Sequence, residues 1–129
     1  MPGLVVDASV ALSWALPDES SAYGEAALAV VEQDGLHVPE VAVAYLRKRI
    51  TSGDEKAFLA ALSHLSIKVE ESSPLNVIRD GTAAAVRYGL TAYDAAYVDL
   101  ALRERLVLAT LDGQMRKAAE QAGIMIFRQ

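Results

Sequence analysis

The chain contains no cysteine. That excludes disulfides and thiolate metal sites, and leaves only oxygen ligands and two histidines to hold any metal. No apolar run is long enough to span a bilayer, and Met1-Pro2-Gly3 lacks the basic flank of a signal peptide. The expected compartment is therefore the cytoplasm, with no membrane partner. Gly-x-Gly-x-x-Gly and the phosphate-loop pattern are missing, which removes the common nucleotide sites. Gly-x-Ser-x-Gly is missing too, and although Ser9 follows Asp7, no histidine stands in a matching place for a nucleophilic triad. Repeats and low-complexity linkers are absent. Positive charge is scarce: 12 Lys and Arg against 17 Asp and Glu give a net charge of −5. Such a balance argues against coating nucleic acid by charge alone. It leaves open a site where bound metal ions supply the positive charge that phosphate needs.

What is present suits one soluble globular domain over residues 1–129, with 53% apolar and 22% charged residues. Leu4-Val5-Val6 reads as a buried strand and Ala8 to Leu16 as a helix stopped by Pro17. Ser20 or Ser21 caps a helix running to about Asp34, with Gly35 as its stop. Leu36-His37-Val38 is a second strand, followed by a helix from Glu40 to Ile50. Ser52 and Glu55 form a capping box for a helix to about His64. Ser66 to Glu70 alternates polar and apolar, as in a strand with one face covered. Ser73 and Pro74 open a helix to Tyr88, weakened by Gly81 and ended by Gly89. A helix over 91–105, a strand at Leu106–Ala109, a helix from about Gly113 to Ala122 and a strand at Ile124–Phe127 complete the chain. Strands alternating with helices predict an α/β fold with a parallel sheet covered on both faces.

Three aspartates share one kind of place, just past a short apolar strand or at the mouth of a helix. Asp7 ends the first strand and Asp112 follows the strand at 106–109. Asp94 lies in the first turn of its helix, three residues after Thr91, in a capping-box pattern. Parallel sheets bind ligands beyond the carboxyl ends of their strands, where strand order reverses. If the strands bearing Asp7 and Asp112 are neighbours across that point, the carboxylates share a crevice. Asp99 serves as the contrast: five residues past Asp94 is about 140° around the helix, so the two do not line one site. It is placed to pair with Arg103. Asp18, Glu19, Glu25 and Glu32 read as ordinary solvated acids.

Gathering carboxylates is costly. At ~5 Å and an effective dielectric of about 20, two of them repel by roughly 3 kcal/mol. Three need a counter-ion or raised pKa values. An aspartate site without cysteine suits Mg²⁺ or Mn²⁺, which activate water for in-line attack on a phosphodiester. His37 and His64 read as surface or packing residues. Tyr93 and Tyr97, at i and i+4, suit core packing, with base stacking as the alternative. Arg47-Lys48-Arg49 is either a solvated helix face or a phosphate-contacting patch.

Val5-Val6-Asp7-Ala8-Ser9, Leu90 to Tyr97 and Leu108-Ala109-Thr110-Leu111-Asp112 resemble the three aspartate motifs of PIN-domain proteins, and most closely those of VapC toxins. The resemblance covers essentially the whole chain. It implies a three-layer α/β/α fold with a central parallel sheet and a Mg²⁺- or Mn²⁺-dependent ribonuclease acting on single-stranded RNA. It also implies a homodimer and a cognate antitoxin as partner. By that resemblance Asp7, Asp94 and Asp112 hold the metal, with Thr110 and Ser9 as supporting polar residues. The fourth acid departs from the pattern. Val38-Pro39 runs straight into Glu40-Val41-Ala42-Val43-Ala44, a few residues short and with no Asn after it. Glu40 is the sole local candidate, as a fourth ligand or water-orienting group, or else as a residue serving only its helix dipole. Two alternatives follow: a catalytically impaired PIN scaffold that binds an antitoxin, and a DNA nuclease using the same site.

Overall fold

Leu4-Val5-Val6 has no polar side chain to offer water, and all three residues are buried as the inner strand β1 (Leu4–Val6). The computed structural model describes residues 3–50, 55–71, 75, 79 and 82–128. After β1 come α1 (Ala8–Ala15), a 3₁₀ turn (Pro17–Glu19), α2 (Ala22–Asp34) and β2 (Leu36–Pro39). Then follow α3 (Glu40–Arg49), α4 (Glu55–Leu62), β3 (Ile67–Glu70) and α5 (Thr82–Tyr88). The chain closes with α6 (Ala92–Glu104), β4 (Val107–Ala109) and α7 (Gly113–Gln121). Local chemistry sets several boundaries. The Ser21 hydroxyl accepts from Gly24 N–H at 2.9 Å to cap α2, and Gly35 ends it at φ +96°, a conformation that L side chains rarely adopt. The Ser52 cap, the Ser73-Pro74 start and the Gly81 interruption lie outside the described residues.

The described strands form one parallel sheet in the order β3-β2-β1-β4, with Leu4 opposite both Leu36 and Val107. The chain steps outward from β1 to β2 and β3, then returns across β1 to β4. Right-handed crossovers in opposite directions put the two sets of connecting helices on opposite faces. The result is three layers, helix–sheet–helix. α6 packs on β1, β2 and β4, burying Tyr97, Val98, Leu100 and Ala101, while α2 packs on β1. Strand order reverses between β1 and β4, so the crevice expected beyond their carboxyl ends lies beside Asp7.

Three local expectations need correction. The Ile124–Phe127 strand shrinks to a single parallel bridge, Ile126 to Leu108, because only Leu108 offers it a free edge. β3 is an edge strand whose apolar face is poorly covered: Ile67 and Val69 stay 39% and 46% exposed and line an open apolar cavity of about 570 Å³ beneath α3 and α4. Tyr93 and Tyr97 do not share one fate. Tyr97 is fully buried under α6, while Tyr93, in the first turn, is 40% exposed.

Candidate active site

Asp7 follows directly from the end of β1, where its backbone N–H still pairs with Ala109 C=O of β4 at 3.2 Å. Its side chain turns to cap α1, with Oδ1 accepting from Val10 N–H at 3.2 Å and from the Ser9 hydroxyl at 2.6 Å. Oδ2 accepts a short hydrogen bond from the Thr110 hydroxyl. Thr110 is fully buried, and its Oγ1 also accepts from Asp112 N–H at 3.0 Å. Leu111 N–H donates to Ser9 Oγ at 2.9 Å. Ser9 and Thr110 therefore tie the loop after β1 to the loop after β4.

Asp112 caps α7, accepting from Gln114 N–H at 2.8 Å and Met115 N–H at 3.3 Å. Gln114 in turn donates to Gly89 C=O at 2.7 Å, joining the start of α7 to the turn before α6. At the mouth of α6 the Thr91 hydroxyl accepts from Asp94 N–H at 3.1 Å, the capping interaction expected from the sequence. Asp94 nevertheless does more than stabilise its helix end. It lines one cleft of about 390 Å³ together with Asp7, Asp112, Ser9, Glu19 and Arg49.

Burial pushes the Asp7 carboxyl up to about 6, against the lowering effect of its hydrogen bonds from Ser9, Thr110 and Val10, and the charge of Asp94 raises it further. The Asp94 carboxyl is also raised, first by burial, with a hydrogen bond from Thr91 lowering it and the charge of Asp112 raising it. Asp7 thus feels the charge of Asp94, and Asp94 that of Asp112. Among the described residues, no three acidic or histidine side chains stand close enough to make a ready-built metal cage. The donor set is all oxygen, carboxylates with flanking hydroxyls, and its chemistry fits a hard divalent cation. Burial makes ionising Asp7 costlier than ionising an exposed carboxyl, a cost that positive charge arriving beside it offsets.

Two expectations about other acids change. Glu40 is exposed at the first position of α3, which starts at once after β2, and does not line the cleft. Glu19, read from sequence as a solvated acid, does line it, beside Arg49. Only the Arg47-Lys48-Arg49 cluster hinted at this; for Glu19 the sequence carries no local signal. Tyr23 was also missed. Its hydroxyl accepts from Thr110 N–H at 3.3 Å and donates to Phe127 C=O at 2.7 Å, while Arg116 stacks over its ring and donates to Thr110 C=O at 3.0 Å. The loop carrying Thr110 is thereby held from behind. Asp99 is half-buried on α6 and away from the cleft. His37 pairs with Glu70 at 3.2 Å between β2 and β3, and His64 is exposed after α4.

A parallel sheet between two helical layers, with carboxylates gathered at its switch point, defines the class of protein to which the chain compares. The family model of the PIN domain matches residues 4–121. Ribonuclease VapC3 of Pyrobaculum aerophilum is 32% identical over 121 residues, covering 87% of this chain and 91% of that protein. The chain therefore belongs to the PIN-domain family and is of VapC type. Two solved structures share the fold. PAE2754 from Pyrobaculum aerophilum superposes with a TM-score of 0.60 at 22% identity, over 96% of this chain and 90% of that one. FitAcB from Neisseria gonorrhoeae gives a TM-score of 0.59 at 18% identity, over 97% and 96%.

Proposed function

We propose that this chain is the toxin of a toxin–antitoxin pair, a Mg²⁺- or Mn²⁺-dependent endoribonuclease that cuts single-stranded RNA. The observation that carries the reading is the meeting of Asp7, Asp94 and Asp112, from three separate parts of the chain, on one cleft at the sheet's switch point. The relative named as a ribonuclease supports RNA as the substrate, and VapC type supports an antitoxin partner; a homodimer belongs to the same proposed reading. Among the described residues no helix is long and apolar enough to cross a membrane.

Asp7, Asp94 and Asp112 would hold the cation. When bound, it supplies an activated water and neutralises charge building on the leaving oxygen. Ser9 and Thr110 keep the Asp7 carboxylate aimed while leaving it ionisable, since both donate to the charged form. Asp112 is fixed by its own helix cap, so its orientation does not depend on substrate. The test is cleavage of single-stranded RNA in Mn²⁺ by Asp94→Asn, which keeps the Thr91 cap and should fold normally yet lose cleavage. Full cleavage by that variant would refute the assignment. Parallel single-stranded and flap DNA substrates decide between RNA and DNA.

A second reading is favoured by the exposed Glu40 and, among the described residues, the lack of a ready-built cage: a catalytically impaired PIN scaffold that survives by binding an antitoxin. No Mn²⁺-dependent cleavage by the wild type, with folding intact, is its expected result.

A further inference from the structure

β4 ends at Ala109, so the peptide groups of Thr110 have left the sheet ladder. Thr110 is fully buried, and a backbone N–H or C=O left unpaired there would cost about 1–3 kcal/mol. Side chains from two different helices take up both groups. From α2, the Tyr23 hydroxyl accepts from Thr110 N–H at 3.3 Å; from α7, Arg116 Nη2 donates to Thr110 C=O at 3.0 Å. The two braces also meet each other, since the Arg116 guanidinium lies 5.5 Å from the centre of the Tyr23 ring. A phenol carries a single proton to donate. That of Tyr23 goes to Phe127 C=O at 2.7 Å, which leaves the oxygen facing Thr110 as an acceptor. Phe127 is itself fixed: its N–H donates to Leu108 C=O at 2.9 Å, and its ring meets Tyr23 edge-on at 5.5 Å. Turning Tyr23 away from Thr110 therefore breaks its bond to the C-terminal segment as well.

Through its side chain Thr110 reaches two of the candidate metal ligands. The hydroxyl donates to Asp7 Oδ2 and accepts from Asp112 N–H at 3.0 Å. One residue thus fixes both the aim of the Asp7 carboxylate and the backbone from which Asp112 projects. A shift of Thr110 moves the two acids relative to each other, and groups standing behind metal ligands tune affinity by such shifts. Neither Tyr23 nor Arg116 lines the cleft, so any effect they have on it is transmitted. We propose that Tyr23 is a positioning residue of the candidate metal centre, setting the relative placement of Asp7 and Asp112 through its grip on the Thr110 backbone, with Arg116 as the second brace. The inference rests on the nuclease reading of the same cleft. It makes α2 and the C-terminal segment, which stand outside the cleft, part of what shapes it.

The experiment is calorimetric titration of the full chain with Mn²⁺ at pH 7.5, in a double-mutant cycle of Tyr23→Phe and Thr110→Val. Tyr23→Phe keeps the ring with its contacts to Phe127 and Arg116 and removes the hydroxyl alone. It should weaken Mn²⁺ binding about three- to tenfold, as expected for one lost hydrogen bond. Thr110→Val should weaken binding about tenfold or more. With Thr110→Val already present, adding Tyr23→Phe should change affinity less than about twofold, because the hydroxyl that transmits the effect is gone. At saturating Mn²⁺, Tyr23→Phe should lower kcat on single-stranded RNA about three- to tenfold and leave KM within about twofold. A Tyr23→Phe protein that melts lower in EDTA yet binds Mn²⁺ with wild-type affinity would show a merely structural hydroxyl and overturn the proposal. So would equal weakening with and without the Thr110 hydroxyl, or a loss confined to KM. In each of these cases Mn²⁺ binding by the wild type and its weakening in Asp94→Asn would still stand, leaving the nuclease reading intact. A wild type that binds no Mn²⁺ would overturn both. Thermal melts identify a Tyr23→Phe protein that fails to fold. Arg116→Lys, which keeps the charge but not the guanidinium bond to Thr110 C=O, then carries the same cycle, with about two- to fourfold weakening expected.

Discussion

Replacing Asp7 by Asn removes a buried charge while keeping an oxygen that can accept from Val10 N–H and cap α1. In the wild type, burial lifts this carboxyl from 3.8 to about 6. Between those two values the folded state binds more protons than the unfolded one, so stability falls as pH rises through that window. Below about pH 4 the group costs nothing. Above about pH 6 it costs the metal-free protein about 3 kcal/mol. Asn carries no such cost, but it offers one acceptor oxygen where the carboxylate offered two, a loss of about 1 kcal/mol. The net gain at pH 7.5 is about 2 kcal/mol, or about 5–10 °C in melting temperature for a domain of this size. The assay is thermal unfolding followed by circular dichroism in EDTA from pH 4.5 to 8. Wild type should lose stability across pH 4–7 and Asp7→Asn should lose much less, the remainder coming from Asp94. With Mn²⁺ the order should invert at neutral pH, since an ion that binds only the folded wild type stabilises it. An Asp7→Asn variant less stable than wild type at pH 7.5 in EDTA, or equally pH-dependent, would refute the burial argument.

Other outcomes follow from the same geometry. Glu40→Gln, at a residue that does not line the cleft, should leave Mn²⁺-dependent RNA cleavage within about twofold of wild type and stability within about 0.5 kcal/mol; loss of cleavage would put Glu40 back in the site. Thr110→Val removes the hydroxyl that donates to Asp7 Oδ2, so it should cost about 1–3 kcal/mol in unfolding free energy. Without that donor the Asp7 carboxyl rises further, and the acid limb of the pH–rate profile should move to higher pH; a limb that stays in place would detach Asp7 from the profile.

Much of the site was legible because its signals are local. An apolar run ending in Asp, and Asp at a helix start, each mark a strand end or a cap within a few residues, and Asp7, Asp94 and Asp112 all occupy such places. Joining them needed only the rule that ligands gather where a parallel sheet reverses its order, and β1 beside β4 satisfies it. What stayed hidden depends on packing between distant segments. Tyr23 reaches Thr110 across 87 residues and Phe127 across 104, and no spacing in the sequence announces that. Glu19 looks like any other solvated acid until Arg49 is brought beside it. The alternation at 66–70 marked a strand correctly but overstated its covering, because edge position is a property of the sheet and not of the segment.

Calorimetric titration of the wild type with Mn²⁺ tests the central claim most directly, that three aspartates from separate segments act on one divalent ion. Saturable binding of one ion below millimolar metal at pH 7.5 is the expected result, weakened at least tenfold in Asp94→Asn. At pH 6 binding should also release about half a proton, since Asp7 must ionise to receive the ion. No heat of binding at several millimolar Mn²⁺, or binding unchanged by Asp94→Asn, would contradict it.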